Sequence, residues 1–422
     1  MLVFHRLSSL ESDFMNSKYR NLFILLILGA LTTISPFSID MYLPAFQNIA
    51  NHLGSTTAQV ALSLSSYFVG LALGQIFYGP FLDRFGRKRP IYFGLVLYVI
   101  ASVFCVYSTG VNGLITARLF QALGGCAASV GSTAMVRDFF SPEEGAKVFS
   151  RLMLILSVSP LFAPTVGGWI VSEWGWQAIF WVLAVIVVVF LAIVFFWLPE
   201  GHHPDPSVSL KIGPILKTFA SIFKDPRFFA FAVSGAFSFA GLFTYLAGAP
   251  SIFFGTFHLD TKTFGLIFAF LSLGMIGGGQ VNIFLMKFFS SEQIYRTALR
   301  GQLVMGLIFM AGAAMNWYGL AAHIVILFLY ISCVGLTYPN AAALALVRFH
   351  KNAGSASALL GTIQMGVGAL ASAAFGLLTF QASLSVAVVF VLTSIIGLVV
   401  FQLSEGKADL PANIEEPRGE EG

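Results

Sequence analysis

The sequence predicts an all-α membrane protein with twelve transmembrane helices in two six-helix bundles, and three observations predict it. Of its 422 residues, 57% are hydrophobic and only 10% are charged, against about 25% charge in a soluble domain. The apolar residues gather in twelve runs of roughly 20, the length that crosses ~30 Å of hydrocarbon at 1.5 Å per residue. With the N-terminus placed in the cytoplasm, every one of the 23 Lys and Arg residues except Lys262 and Arg118 falls in an inner segment, as the positive-inside rule requires. A wrong number of spans would scramble that partition. The runs lack the period-two alternation of a transmembrane barrel, and their apolar surface is too large for a soluble core.

The first six runs lie at about residues 21–45, 58–81, 91–108, 113–136, 149–172 and 177–198. The second six lie at about 228–252, 263–287, 297–316, 319–341, 354–379 and 383–404, with a short turn at Asn316 to Tyr318. Between the two sets stands "EGHHPDPSVSLKIGPILKTFASIFKDPR", Glu200 to Arg227, a polar linker with room for one surface helix. The expected organisation is therefore a cytoplasmic tail over 1–20, a bundle over 21–199, a cytoplasmic linker over 200–226, a second bundle over 227–404, and an acidic, disordered cytoplasmic tail over 405–422. No small-residue cleavage site follows the first run, so it reads as an uncleaved helix. Met15 is as good a translation start as Met1. Cys105, Cys126 and Cys333 are odd in number and sit in apolar runs, as small hydrophobes do. His202 and His203 read either as metal ligands or as solvated linker imidazoles; they lack acidic or Cys partners, so no metal site is expected.

Span 1 contains "SPFSIDMYLPAF", in which Asp40 is the only charged side chain between Arg20 and Asp83. An ionised carboxylate in hydrocarbon costs ~2.5–3.5 kcal/mol or more. Span 4 carries "ARLFQALGGCAAS", with Arg118 and Gln121 at i, i+3 on one helix face. By rise, Asp40 lies ~27 Å along span 1 and Arg118 ~8 Å from the outer edge of span 4, so the two reach similar depths. Two readings follow. Asp40 is an interfacial residue touching outer water, or the two intramembrane charges form a pair in which Arg118 tunes Asp40. The second makes the carboxylate's protonation responsive to hydration and to its partner, as proton coupling requires.

Between spans 2 and 3 stands "GPFLDRFGRKRP". Gly79 and Gly86 allow a tight hairpin and close helix approach, and Asp83 can pair with an arginine or a helix N-terminus. The ordered pattern of Gly79, Asp83, Arg84, Gly86 and Arg87 resembles the signature loop of the major facilitator superfamily. That resemblance implies a conformational gate closing the cytoplasmic side, with Asp138 as the acid at the inner end of span 4. The matching place in the second half, "FLMKFFSSEQIYR", does not repeat it, so the internal duplication is expected only in hydropathy. Arg118 and Gln121 match the superfamily's Arg-x-x-Gln-Gly pattern, with Ala122 in place of its glycine. "SPLFAPTVGGWI" in span 5 is similar to its exporter signature: Pro164, Gly167 and Gly168 match, and Ser159 and Ala163 replace two glycines. With "GWQAIFWV" and "FSFAGLFTYLAGAPSIF", the chain looks like a Bcr/CflA-type drug-resistance transporter over roughly 20–404.

The resemblance implies proton–drug antiport by alternating access, driven by the proton gradient and without a bound cofactor. Asp40 and Arg118 would carry proton coupling, and Gln121, Phe239, Phe243 and Tyr245 would contact an amphipathic substrate. Those aromatics read equally as lipid-facing packing. The implied protein is a monomer in a bacterial inner membrane, both termini cytoplasmic, with the bilayer and a small molecule as its partners and no nucleic acid. No GxxxxGK[ST] stretch supports ATP-driven pumping, and the spans hold no catalytic constellation, so an enzyme is not expected. The alternatives are export of an endogenous metabolite or siderophore and, less favoured by the span 5 signature, proton-symporting nutrient import.

Overall fold

The computed structural model describes residues 17–408, apart from 141, 202, 203, 209, 317, 318 and 350–352. The His202–His203 pair and the outer parts of both tails lie outside the described residues. Those that are described form helices and connecting turns, without a strand among them. The first half comprises α1 (Ser17–Asp40), the short α2 (Phe46–His52), α3 (Thr57–Phe85), α4 (Lys88–Val106), α5 (Val111–Phe139), α6 (Pro142–Trp174) and α7 (Gln177–Phe196). The linker contributes α8 (Ile212–Phe223). The second half comprises α9 (Pro226–Pro250), α10 (Thr261–Leu285), α11 (Ser291–Met315), α12 (Leu320–Leu346), α13 (Ala353–Leu377) and α14 (Ala382–Ala408). Among the described residues, eleven helices are long and apolar enough to cross a membrane. The remaining long helix, α6, spans 33 residues and packs between α1 and α10. This is a multi-pass membrane protein.

The ends of the elements follow their capping chemistry. Thr56 and Gln59 form a capping box that starts α3, and Ser290 with Gln293 does the same for α11. That second box starts the helix at Ser291, six residues before the expected position. The side chains of Asp225 and Asp260 cap α9 and α10. Asn316 ends α11 in the left-handed conformation. Span 1, expected as one helix to residue 45, instead stops at Asp40 and passes through a 3-10 turn at Leu43–Ala45 into α2. Pro44 in that turn has no N–H with which to continue the helix.

Lipid supplies no hydrophobic drive between membrane helices, so close van der Waals approach through small residues holds them together. In the first bundle Gly70 and Gly74 of α3 press on Leu119 and Cys126 of α5, and Gly94 of α4 presses on Gly124 and Ala127. In the second, Gly274 and Gly278 of α10 press on Phe328, Ser332 and Gly335 of α12. The internal duplication therefore survives in these glycine-lined crossings as well as in hydropathy. The halves meet along two seams. One is α3 with α13, where Ser65 donates to Ser372 across 2.8 Å. The other is α6 with α10.

Candidate functional site

Asp40 is the last residue of α1 and is 5% exposed. Two features of α6 place its surroundings. Pro160 and Pro164 each remove a helical N–H, and Gly167 lies on the backbone of Met41, where any Cβ would collide with the carbonyl oxygen. Gly168 meets Thr261 at the start of α10 in the other half. The Pro-Gly-Gly stretch thus lets α6 lie against both the end of α1 and the second bundle. It also brings the Ser159 hydroxyl beside Asp40, short of a well-formed hydrogen bond. From α9, Tyr245 comes within electrostatic reach of the same carboxylate. Its buried hydroxyl has no hydrogen-bond partner among the described residues.

Arg118 does not pair with Asp40. It is fully buried inside the first bundle, where Nη1 donates to Gln121 Oε1 across 2.6 Å and Nη2 to the Ser38 carbonyl across 3.0 Å. Tyr67, Tyr42 and Phe180 surround the guanidinium, with ring centroids 4.2, 4.5 and 5.8 Å away. A desolvated cation–π contact is worth ~2 kcal/mol, so this box replaces a carboxylate as the partner of the cation. The depth arithmetic agrees with the structure, since Arg118 reaches a residue only two positions from Asp40. The pairing fails because residues two apart on a helix point to nearly opposite faces. Gln121, expected at the substrate, is also committed elsewhere: its amide nitrogen donates to Ser102 across 2.8 Å and its oxygen holds Arg118. Ser38 completes the cluster with a 2.5 Å contact to Tyr98.

The α9 aromatics are not lipid-facing. Phe239, Phe243 and Tyr245 are 8, 4 and 2% exposed. Phe243 crosses the seam to Phe68 of α3 at 4.2 Å, Phe239 stacks on Tyr338 at 4.6 Å, and Tyr245 stacks on Phe268 at 5.6 Å. Together they form an aromatic wall where the two halves meet.

The second constellation lies at the linker end of the first bundle. Arg87 donates to Asp83 at 2.7 Å and to Asp138 at 2.8 Å. Burial works against the Arg87 cation, but the hydrogen bonds and charges of Asp138 and Asp83 outweigh it and hold its pKa above the ordinary value. Gly86 adopts φ +81° and ψ 173°, a conformation reserved for glycine, and so makes the turn. Gly79 faces open space, so close helix approach is not its part. Arg84 turns away from the acids and donates to the Val208 carbonyl at 2.7 Å.

Sequence reasoning missed Glu200. Its carboxylate accepts from the backbone N–H groups of Arg87 and Lys88 at the start of α4, a favourable place for an anion. Asp205 N donates to the Asp83 carbonyl, so the linker's first residues dock on the loop. Ser159 and the aromatic box of Tyr42, Tyr67 and Phe180 were missed too, because no local pattern relates residues so far apart in the chain.

Comparisons with known proteins agree with this architecture. The model of the Major Facilitator Superfamily matches residues 28–373. A bicyclomycin resistance protein homolog of Haemophilus influenzae is 32% identical over 358 residues, covering 84% of this chain and 89% of the relative. The multidrug resistance protein MdtL of a Shewanella strain is 25% identical over 93% of this chain and 98% of its own. Among solved structures, a D-xylose–proton symporter superposes with a TM-score of 0.72 at 14% identity, covering 91% of this chain and 99% of that one. A bacterial homolog of the human lysosomal transporter Spinster gives 0.67, also at 14% identity, over 93% and 97%. At such identity the two structures speak for the fold alone, while the family model and the Haemophilus relative carry the assignment: the chain belongs to the Major Facilitator Superfamily of membrane transporters, and within it to the Bcr/CflA-type group.

Proposed function

We propose that this protein is a proton-coupled exporter of amphipathic small molecules, working as a monomer in a bacterial inner membrane with both termini in the cytoplasm. The names of its resistance-protein relatives support drugs as the substrate class. The basic residues of the linker-end loops support the orientation. One observation carries the mechanism: a buried carboxylate, at the seam of the two halves, that among the described residues is met by the hydroxyl groups of Ser159 and Tyr245 and by no cation. Lacking a fixed counter-charge, Asp40 can exchange a proton as hydration and substrate change. A proton arriving from outside neutralises Asp40 and promotes substrate release. Reorientation then delivers the proton inward, where fresh substrate binds the ionised form. Arg118 acts through α1, holding the Ser38 carbonyl two residues before the carboxylate. The wall of Phe239, Phe243 and Tyr245 offers the apolar contact.

The decisive measurement is substrate-induced proton release by purified protein, wild type beside Asp40→Asn, with uphill efflux followed in proteoliposomes. Asparagine keeps the size of the side chain and removes its titration. Proton release and uphill efflux should both fall to background in the mutant, with insertion unchanged. An undiminished proton signal in the mutant would end the assignment.

A further inference from the structure

Helix α8 has three distinct sides. Ile215, Phe219 and Ile222 turn toward the bundle, with Ile222 fully buried beside Phe228 and Phe231. Ile212, Leu216, Ala220 and Phe223 are exposed. At 100° per residue these four lie within about 80° of arc, as one apolar stripe next to the packed side. On the stripe's other flank stand Lys217 and Lys224, both exposed. Going round the helix, protein contact gives way to bare hydrocarbon side chains and then to two ammonium groups. A helix facing water has no use for such a stripe; Ile212 and Leu216 are 57% and 53% exposed.

We propose that α8 is a lipid-docking helix: its stripe sits in the headgroup region of the leaflet at the linker end, and Lys217 and Lys224 bind the phosphates of anionic phospholipid. Two observations choose this occupant. The stripe is continuous with a membrane-spanning surface, because the Phe223 ring meets Phe229 in the first turn of α9 at 5.2 Å, where hydrocarbon begins. The charge is also complementary, with the lysines at the edge that borders the headgroups, where their stems cover apolar surface and their ends reach phosphate. The helix packs on α9 and α13, so docking fixes the linker to the bilayer at the foot of the second bundle.

The test uses the full chain in nanodiscs of equimolar phosphatidylglycerol and phosphatidylcholine, with a fluorophore on L216C or, as the polar-face control, S221C. Both positions are exposed, so neither change disturbs the core. The label at 216 should be shielded from aqueous iodide and quenched by acyl-brominated lipid, and the label at 221 should behave in the opposite way. Brominated phosphatidylglycerol should outcompete brominated phosphatidylcholine at position 216 by on the order of tenfold, from two lysines near the surface. K217Q/K224Q should abolish that preference and retain the shielding. Equal iodide quenching at 216 and 221 would place the stripe in water and overturn the proposal. Shielding without lipid quenching would assign the stripe to a protein partner or a second copy, which also overturns it. A phosphatidylglycerol preference that survives K217Q/K224Q would refute the role of the lysines.

Discussion

The interiors of the two bundles are built to one plan and filled with different chemistry. In the first, the centre is a guanidinium boxed by Tyr42, Tyr67 and Phe180 and held by Gln121 and the Ser38 carbonyl. In the second, Gln302 bonds Ser238 in both directions, Ser238 contacts Thr337 at 2.6 Å, and Tyr330 stacks face to face on Phe390 at 3.9 Å. Among the described residues, no Asp, Glu, Lys or Arg is buried in the second bundle, whereas the first buries Asp40, Arg87 and Arg118. At the linker end the contrast is one of burial. Arg87, itself buried, joins Asp83 and Asp138 in the first half. In the second, a part-exposed pair, Arg348 with Asp225 at 3.3 Å, stands beside a neutral amide pair, Asn340 to Asn282 at 2.6 Å, that joins α12 to α10. A duplicated scaffold has kept its close helix crossings and, among the described residues, has buried its Asp and Arg side chains in one copy. Removing a buried charge is therefore an experiment on the first bundle, and the matching change in the second removes a neutral hydrogen bond.

The largest test removes the boxed cation. Arg118→Ala leaves a void and unpartnered polar groups, and should cost ~3–5 kcal/mol and nearly all transport. Because Asp40 lies on the opposite face of α1, the stability changes of Asp40→Asn and Arg118→Ala should add within ~0.5 kcal/mol in a double-mutant cycle of thermal unfolding. An Asp40–Arg118 ion pair, which the sequence suggested, requires strong coupling instead. Next comes the pair of glutamines. Gln121→Leu strands a buried cation and should cost several-fold more stability than Gln302→Leu, for which interhelical hydrogen bonds in membranes set a scale of ~0.6–2 kcal/mol. Equal losses would erase the distinction between charged and neutral interiors. At the linker end, Asp138→Asn should cost ~2 kcal/mol and slow turnover, because it removes a charged partner of a buried arginine. Glu292→Gln, on a part-exposed i, i+4 pair with Arg296, should cost ~0.3–0.5 kcal/mol, readable as a small melting shift. A steric comparison across the same two bundles stands apart from the charges. Gly167→Ala meets the Met41 backbone and should cost ~1–2 kcal/mol, and Gly277→Ala, with nothing in its way, should stay within ~0.5 kcal/mol.

Hydropathy made the long helices readable, because bilayer thickness imposes span length on any sequence. The Gly86–Arg87 turn was readable for a similar reason: a local backbone demand leaves a local residue signature. Side-chain direction was not readable in the same way. Rise along a helix placed Asp40 and Arg118 at one depth, but azimuth decides contact, and two residues of phase separate Ser38 from Asp40. Gln121 shared a helix face with Arg118 as its spacing said, and that partnership is what withdraws it from the substrate. Glu200 gave no signal at all, since an acid just after a span looks like any solvated linker residue until the start of α4 is brought to meet it.

The docked start of the linker sets how far the halves can part. Counted from sequence, 27 residues over 200–226 look like a long, loose tether. Arg84 already holds the Val208 carbonyl to the first half, however, and from Ile212 onward the chain is wound into α8 against the second. Only the steps from Val208 to Ile212 remain to be stretched, and four residues reach ~14 Å at most. The two bodies are joined on a short leash at one edge. They can rock about that edge while staying close there, and any cycle that opens it wider must first strip the linker from its dock. Lengthening the chain between these residues should therefore loosen the rocking axis without touching a single transport residue.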